Sequence, residues 1–338
     1  MQYKKILATA PNTVELAAAP YELRIAAPTE VIVKNRLSHL SAGTELACIA
    51  GLEDWFKLPA TPGYTAIGEV AEKGAAVPGL EVGDRVYTFG PHAEHFKIDT
   101  ADRWHGICLK LPEGIKEEDA AFAHMASIAF TAIRAAHIEL GDTVAVAGLG
   151  AIGNLAAQLA QLQGAEVLGL DISPARLEIA QRCGIRQVAN SQGRSIPELV
   201  REFYGGGAEV FIEATGLPQV AEAGAAALAL YGQLILLGSP RRPYQADLTS
   251  FLQRIHLWSH GAITVKGALE FTVPTHRTEF VKHSIERNSE IILRLIRDGR
   301  LKISPLRSHL LHPSQAQQAY DGLREQPDVY FGVVFDWR

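Results

Sequence analysis

The sequence predicts an α/β protein in which a doubly wound parallel-sheet domain is inserted into a β-rich one, and three observations carry that expectation. Up to about residue 118, short β-branched runs are broken by Gly and Pro; from about 119, Ala- and Leu-rich helical stretches alternate with short apolar runs. After about 270 a helical segment is followed by the closing strand-like stretch "YFGVVFDW". The expected division is therefore 1–118 plus 270–338 for the β-rich domain and 119–269 for the inserted sheet domain. A chain of 338 residues with 47% hydrophobic content also carries more apolar material than one core absorbs.

The elements follow in order. "TEVIVKNRL", "AIGEVAEKGAAVPGLEVGDRVYTFG" and "HFKI" have the texture of a compact antiparallel β domain. Thr143–Ala147 is a short apolar strand, after which Ile152, Leu155, Ala156, Leu159 and Ala160 recur at helical spacing until Gly164. Glu166–Leu170 is a second strand, and Ser173-Pro174 opens a helix with a capping hydroxyl followed by Pro at its tolerated first position. "AEVFIEATG", an Ala-rich helix around "VAEAGAAALAL", "GQLILLGSP" and "GAITVKGA" extend the alternation to about six strands. Then come a helix in "FVKHSIERNSEIILRLIRDG", the segment "SHLLHPSQAQQAYDGLRE" and the closing strand, a tail expected to return to the first domain. No internal repeat or low-complexity segment interrupts the pattern.

Composition excludes several function classes. A net charge of −5 with both signs interspersed offers no electrostatic footprint for nucleic acid or an anionic membrane. The opening "MQYKKILATAPNTVELA" lacks a secretion-signal core and no apolar run is long enough to span a bilayer, so a cytoplasmic protein with small-molecule partners is expected. Cys48, Cys108 and Cys183 lack paired spacing and are expected to be small buried hydrophobes.

Gly148-Leu149-Gly150-Ala151-Ile152-Gly153 is G-x-G-x-x-G placed between an apolar strand and a helix, the context in which it cradles a dinucleotide pyrophosphate. Asp171 closes the next strand 18 residues beyond Gly153 (171 − 153), near the position of a ribose-binding acid. A carboxylate there accepts from both ribose hydroxyls of NAD and repels the 2′-phosphate of NADP, so NAD is the expected cofactor. A simple helix-leading cap is the plainer role open to Asp171. Ile172 and Arg176, which follow it, are grouped with the cofactor site.

"PGYTAIGEV" (62–70), "VPGLEVGDRV" (77–86), the dinucleotide motif, "EATG" (213–216), "LLGSP" (236–240) and "SQAQQAYDGLRE" occur in an order that resembles the medium-chain dehydrogenase/reductase superfamily over nearly the whole chain. The resemblance implies a GroES-like β-rich catalytic domain, an NAD-binding Rossmann domain with Thr215 and Gly238 at the cofactor, and hydride transfer between nicotinamide and a secondary alcohol or ketone. It also implies a homodimer or homotetramer joined through the sheet edge, for which "GAITVKGA" is the candidate strand.

In the zinc-dependent members of that family three ligands hold a catalytic metal, and the matching positions here are Ala42, then Tyr64 and Thr65, then roughly His124. Of these only His124 is a good zinc ligand, and where that family has a four-cysteine lobe this chain has Cys108 alone, so no metal is expected. A non-equivalent site among His39, Glu45, His92, His95 and His124 is the alternative. Without zinc, Tyr64 is the candidate hydrogen-bond donor to the reacting oxygen and His124 the candidate proton relay. Thr44 matches a relay hydroxyl, Ser41 joins the polar cluster, and Glu45 matches an acid that organises the turn. "SAGTE" together with "PGY" is similar to a branch that includes bacteriochlorophyllide dehydrogenases and relatives linked to sugar metabolism, which implies secondary alcohols on cyclic molecules. A zinc-free enone or quinone reductase, against which Asp171 weighs, and a non-catalytic NAD-binding protein are the competing readings. His92, His95, Trp104, His105, Trp258 and His260 are left open between pocket lining, surface and core.

Overall fold

The computed structural model describes residues 2–338, and the chain divides into two compact units. One runs to His124 and resumes at Val273–Arg338; the other is Met125–Thr272. The divisions thus fall after 124 and 272, where the sequence rhythm had placed them after 118 and 269.

The first unit opens with an antiparallel hairpin of β1 (Gln2–Ala10) and β2 (Thr13–Pro20), followed by the long strand β3 (Glu30–Leu40). After β3 the chain turns into the short helix α1 (Thr44–Ile49), then β4 (Ala66–Lys73), β5 (Arg85–Thr88), β6 (His95–Asp99) and β7 (Cys108–Lys110). Strand β3 is the hub, since β4 and β6 both pair with it antiparallel. Its last four residues, Leu37–Leu40, are all buried, which takes Ser38 and His39 into the interior with their polar atoms. Most buried polar atoms find partners, and those of Ser38 shape the site below. Helix α2 (Glu117–Ala120) and the start of α3 (Ala123–Ala136) end this stretch.

In the second unit strands and helices alternate: β8 (Thr143–Ala147), α4 (Ala151–Gln163), β9 (Glu166–Asp171), α5 (Pro174–Arg182), β10 (Gln187–Asn190) and α6 (Ile196–Tyr204). Then come β11 (Ala208–Glu213), α7 (Pro218–Ala227), β12 (Leu228–Leu236), α8 (Leu248–His256) and β13 (Thr264–Gly267). The sheet is parallel throughout, in the order β10-β9-β8-β11-β12-β13, so the winding reverses between β8 and β11. That is the doubly wound dinucleotide-binding order, whose crevice opens at the carboxyl ends of the strands at the reversal. Its core is Ala145, Leu168, Leu170, Phe211, Leu234 and Ile263, each at most 3% exposed. Gly164 closes α4 with φ +104°, and the Ser173 hydroxyl accepts from the Arg176 amide at the head of α5.

One element departs from its expected type. The Ala-rich helix stops at Ala227, and Leu228–Leu230, which continue its composition, belong to β12. Parallel pairing of Leu228 with Ala208 on β11 overrides the helical preference of an Ala/Leu run.

Beyond residue 272 the chain returns to the first unit. Helix α9 (Ile285–Arg297) starts later than its apolar rhythm suggests, because Ser284 caps it by accepting from the Arg287 amide at 3.0 Å while Phe280 stays 94% exposed. Strand β14 (His309–Leu311), helix α10 (Ala316–Glu325) and strand β15 (Val333–Asp336) follow. Strand β15 pairs antiparallel with β3, and β14 extends the same sheet beyond it. No helix among the described residues is long and apolar enough to cross a membrane.

Candidate active site

In the second unit the three glycines of the turn after β8 do three different jobs. Gly148 has φ +89°, a conformation few side chains adopt. Above Gly150 a Cβ would meet nothing within 4 Å, which leaves room for a ligand to reach the backbone at the head of α4. A Cβ on Gly153 would lie 1.8 Å from the Gly148 carbonyl oxygen, so only glycine lets the helix sit this close to the strand. Ala151 and Ile152 form the first turn of α4, half-buried.

Asp171 ends β9 and is 5% exposed. Its carboxylate accepts from the Leu149 amide of the glycine turn at 2.7 Å and from the Ser173 amide at 2.9 Å, so it leads α5 and ties that helix to the turn at once. Each oxygen keeps a further lone pair for a ribose hydroxyl. Ile172, beside it, is 63% exposed, and the Arg176 guanidinium stands 4.0 Å from the carboxylate. Thr215 and Gly238 lie in the turns that end β11 and β12; Thr215 packs on the glycine turn, where a Cβ on Gly148 would meet its methyl at 2.7 Å. These features fit a nicotinamide dinucleotide.

In the first unit Tyr64, Thr65 and His124 come together although 60 residues separate the first from the last. The His124 Nδ1 lies 3.1 Å from the Tyr64 carbonyl oxygen and 3.0 Å from the Thr65 hydroxyl. Because a carbonyl only accepts, this pair of contacts is satisfied when Nδ1 carries the proton. The imidazole is 3% exposed, stacked on Phe89 at 3.9 Å and edge-on to the half-buried Tyr64 ring at 5.1 Å. Tyr64 and His124 therefore form a preassembled pair, held by a main-chain contact that side-chain reasoning did not anticipate.

The turn Ser41–Glu45 is fixed from beneath by a chain of buried side chains. The Trp337 Nε1–H donates to the Ser38 hydroxyl at 2.9 Å, and Ser38 lies 2.7 Å from His92 Nδ1. His92 Nε2 lies 2.9 Å from a Glu45 oxygen, which also accepts from the Tyr320 hydroxyl at 2.7 Å; the other Glu45 oxygen accepts from the Ser41 amide at 2.8 Å. The donors run one way when Ser38 donates to Nδ1 and His92 donates from Nε2 to the carboxylate. Burial and the Glu45 charge raise the Tyr320 phenol well above its ordinary pKa, which keeps it a donor. Glu45 is thus an organiser of the turn, and it carries Ser41, 3% exposed, and the half-buried Thr44 at the head of α1. This chain abuts the Tyr64 segment, because His92 packs on Gly63, where a Cβ would lie 2.6 Å from the His92 main-chain nitrogen.

The remaining histidines and tryptophans separate. His92 belongs to that chain, and His95 sits between the rings of Tyr3 and Tyr21. His39 is fully interior against Phe122 with neither ring nitrogen hydrogen-bonded, and burial lowers its pKa to about 3. Trp104 and Trp258 are 45% and 68% exposed, and His105 and His260 are also exposed. Cys48 and Cys183 are buried as expected, whereas Cys108 at the start of β7 is only partly covered.

The zinc-ligand positions do not fit zinc. Ala42 offers a methyl group, Tyr64 and Thr65 offer hydroxyl-bearing side chains, and His124 is the one imidazole. Among the described residues no group of three or more His, Cys, Asp or Glu side chains is placed to hold a metal ion.

Two family models match the chain. The family model of the alcohol dehydrogenase GroES-like domain matches residues 27–126, and that of the zinc-binding dehydrogenase domain matches residues 151–280. The chain belongs to the medium-chain dehydrogenase/reductase superfamily. Within that superfamily, a D-guloside 3-dehydrogenase from Shigella flexneri is 27% identical over 98% of this chain and 100% of its own length. A sorbitol dehydrogenase from Bos taurus is 30% identical over 54% of this chain and 60% of its own. The crystal structure of galactitol-1-phosphate dehydrogenase from Escherichia coli superposes with a TM-score of 0.83 at 23% identity, over 98% of this chain and 99% of that one, and shows the shared fold. This medium-chain enzyme is an alcohol dehydrogenase/reductase by family.

Sequence reasoning missed Glu213 and underused His92 and Tyr320. The acid lies inside the quoted "EATG", but the partners of His92 and Tyr320 are 47 and 275 residues away, a distance at which no local pattern operates.

Proposed function

We propose that this enzyme oxidises a secondary alcohol on a sugar, glycoside or cyclitol to the ketone, with NAD preferred over NADP and without a catalytic zinc. The observation that carries the reading is the Tyr64–Thr65–His124 cluster joined at His124 Nδ1, at positions that the family resemblance matches to zinc ligands. A bound NAD supplies the hydride acceptor; the chain's own residues position the alcohol and take its proton. The Tyr64 phenol donates to the oxygen at the reacting carbon, and His124, its Nδ1 proton held by the Tyr64 carbonyl, offers Nε2 as acceptor for the hydroxyl proton. Ser41 and Thr44 line the same turn as further hydroxyls. The carboxylate of Asp171 at the end of β9 supports NAD, and the full-length likeness to a guloside 3-dehydrogenase supports a ring-borne secondary hydroxyl.

A second copy of the chain is assigned to β13, the edge strand that pairs on one side with β12 alone, giving a homodimer or homotetramer. Sedimentation or light scattering tests that assignment, and a monomer at working concentration removes it.

The test of the activity is NADH formation from NAD with glycosides, sugars and cyclitols, with and without a strong chelator. Turnover that persists in chelator and falls roughly a hundredfold in Tyr64→Phe and in His124→Ala supports the reading. Turnover abolished by chelator and restored by zinc overturns it, and a preference for NADP overturns the role given to Asp171.

A further inference from the structure

We infer that Glu213 is a positioning residue that makes the turn after β11 an acceptor site for the half of the dinucleotide opposite its adenosine end. The inference rests on the cofactor reading above and adds a residue and a polarity to it.

Glu213 is 2% exposed at the carboxyl end of β11. Its side chain accepts from the Thr215 amide at 2.6 Å, from the Gly216 amide at 3.1 Å to each oxygen, and from the Thr215 hydroxyl. That hydroxyl in turn accepts from the Leu217 amide at 3.0 Å. The Glu213 main-chain carbonyl accepts from the Leu237 and Gly238 amides, each at 2.8 Å. One residue therefore gathers the donors of two neighbouring turns, those ending β11 and β12.

The consequence is a change of polarity. A turn with free amides attracts anions, as the glycine turn at the head of α4 does. With the Thr215 and Gly216 amides and the Thr215 hydroxyl proton committed to a buried acid, the polar groups left in the β11 turn are carbonyl oxygens. Those accept from hydroxyls and amide N–H groups and disfavour phosphate.

Strand order then says which part of the ligand meets which turn. Asp171 closes β9 on one side of β8, and Glu213 closes β11 on the other, across the reversal of winding. In this order the acid on the second strand takes the adenosine ribose, so the turn across the reversal receives the nicotinamide ribose and carboxamide, which are rich in donors. The turn has little freedom to adjust: a Cβ on Gly216 would lie 2.6 Å from the Ser239 carbonyl, one on Gly238 2.2 Å from the Gly216 nitrogen, and one on Gly148 2.7 Å from the Thr215 methyl.

Glu213→Gln keeps the size of the side chain but turns one acceptor oxygen into an amide donor: with its oxygen kept toward the Thr215 amide, its NH2 faces the Gly216 amide. In titrations of the whole chain with NADH by fluorescence, and with ADP by competition, the variant is expected to bind NADH about tenfold more weakly while ADP, which lacks the second ribose and the carboxamide, stays within about twofold. The emission shift of bound NADH is expected to diminish as well. Equal weakening of both ligands would mean general loosening of the sheet and overturns the inference, as does unchanged NADH binding. If Glu213→Gln does not fold, Thr215→Val, which keeps the methyl that packs on Gly148, is held to the same two outcomes. Wild-type protein that binds ADP but not NADH overturns this inference alone, whereas wild-type protein that binds neither overturns the dinucleotide reading beneath it.

Discussion

The glycine turn after β8 and the side-chain chain beneath the Ser41–Glu45 turn both fix a loop, by opposite means. The glycine turn relies on the absence of side chains: Gly153 lets α4 touch the strand and Gly150 leaves the backbone open. The loop after β3 relies on buried side chains, with Glu45 receiving His92, Tyr320 and the Ser41 amide. A site made from backbone tolerates almost no added atom, and one made from buried polar groups tolerates almost no removed one. The medium-chain enzyme thus has two fragilities of different sign, one in each of its units.

Glu45→Ala should be the most damaging of the changes that test this contrast. It leaves His92, Tyr320 and the Ser41 amide without their shared acceptor in the interior, an expected loss of about 3–5 kcal/mol by chemical denaturation. A loss below about 1 kcal/mol would mean that water replaces the carboxylate and that the chain is not the support described. Gly153→Ala adds one carbon where the obstructing atom is main chain, so a loss near the upper end of about 1–3 kcal/mol is expected, together with loss of NADH binding. Gly150→Ala, which meets nothing in the protein, should melt like the wild type and still bind NADH poorly. Similar melting of the two variants would erase the distinction between them.

Tyr320→Phe removes one of three donors to Glu45 and leaves the others, and about 1.5 kcal/mol is the expected cost. The smallest effect belongs to the surface. Hydrogen bonding to Lys97, aided by the Ala26 and Ala27 amides, lowers the Glu30 pKa from 4.5 to about 2. A carboxyl whose folded pKa is depressed stabilises the protein above the unfolded value, so this contribution is present above about pH 4.5 and fades as the pH falls toward about 2. Lys97→Gln should flatten the acid limb of the stability curve slightly in that window, and an identical acid limb would show that the pair is screened by solvent.

The same contrast explains what was legible in the amino-acid sequence. The strand, glycine turn and helix at 143–163, and Asp171 after them, are contiguous, and each residue type answers a local demand of the backbone. The end of the Ala-rich helix at Ala227 was not legible, because Leu228–Leu230 have helical composition and strand pairing chosen by β11. In the first unit, Tyr64 and His124 were found through the family's spacing, while the contact that joins them runs through a carbonyl that every residue possesses. His92 was visible only as one histidine among several. Its role depends on Ser38 and Glu45 across distant strands, and its interior location follows from the complete burial of the end of β3.

Strand β15 gives this architecture a timetable. Trp337 meets Ser38 across 299 residues, and Val333 pairs with Leu40 at the edge of β3. While the ribosome is still adding the intervening residues, Met125–Thr272 already contain all six strands of their own sheet and are free to fold. The first unit has to wait with β3 unpaired on that side and Glu45 lacking Tyr320. The nascent enzyme is therefore able to acquire its dinucleotide-binding unit before its Ser41–Glu45 turn is locked, and an open strand edge is its exposure to misassociation in the interval.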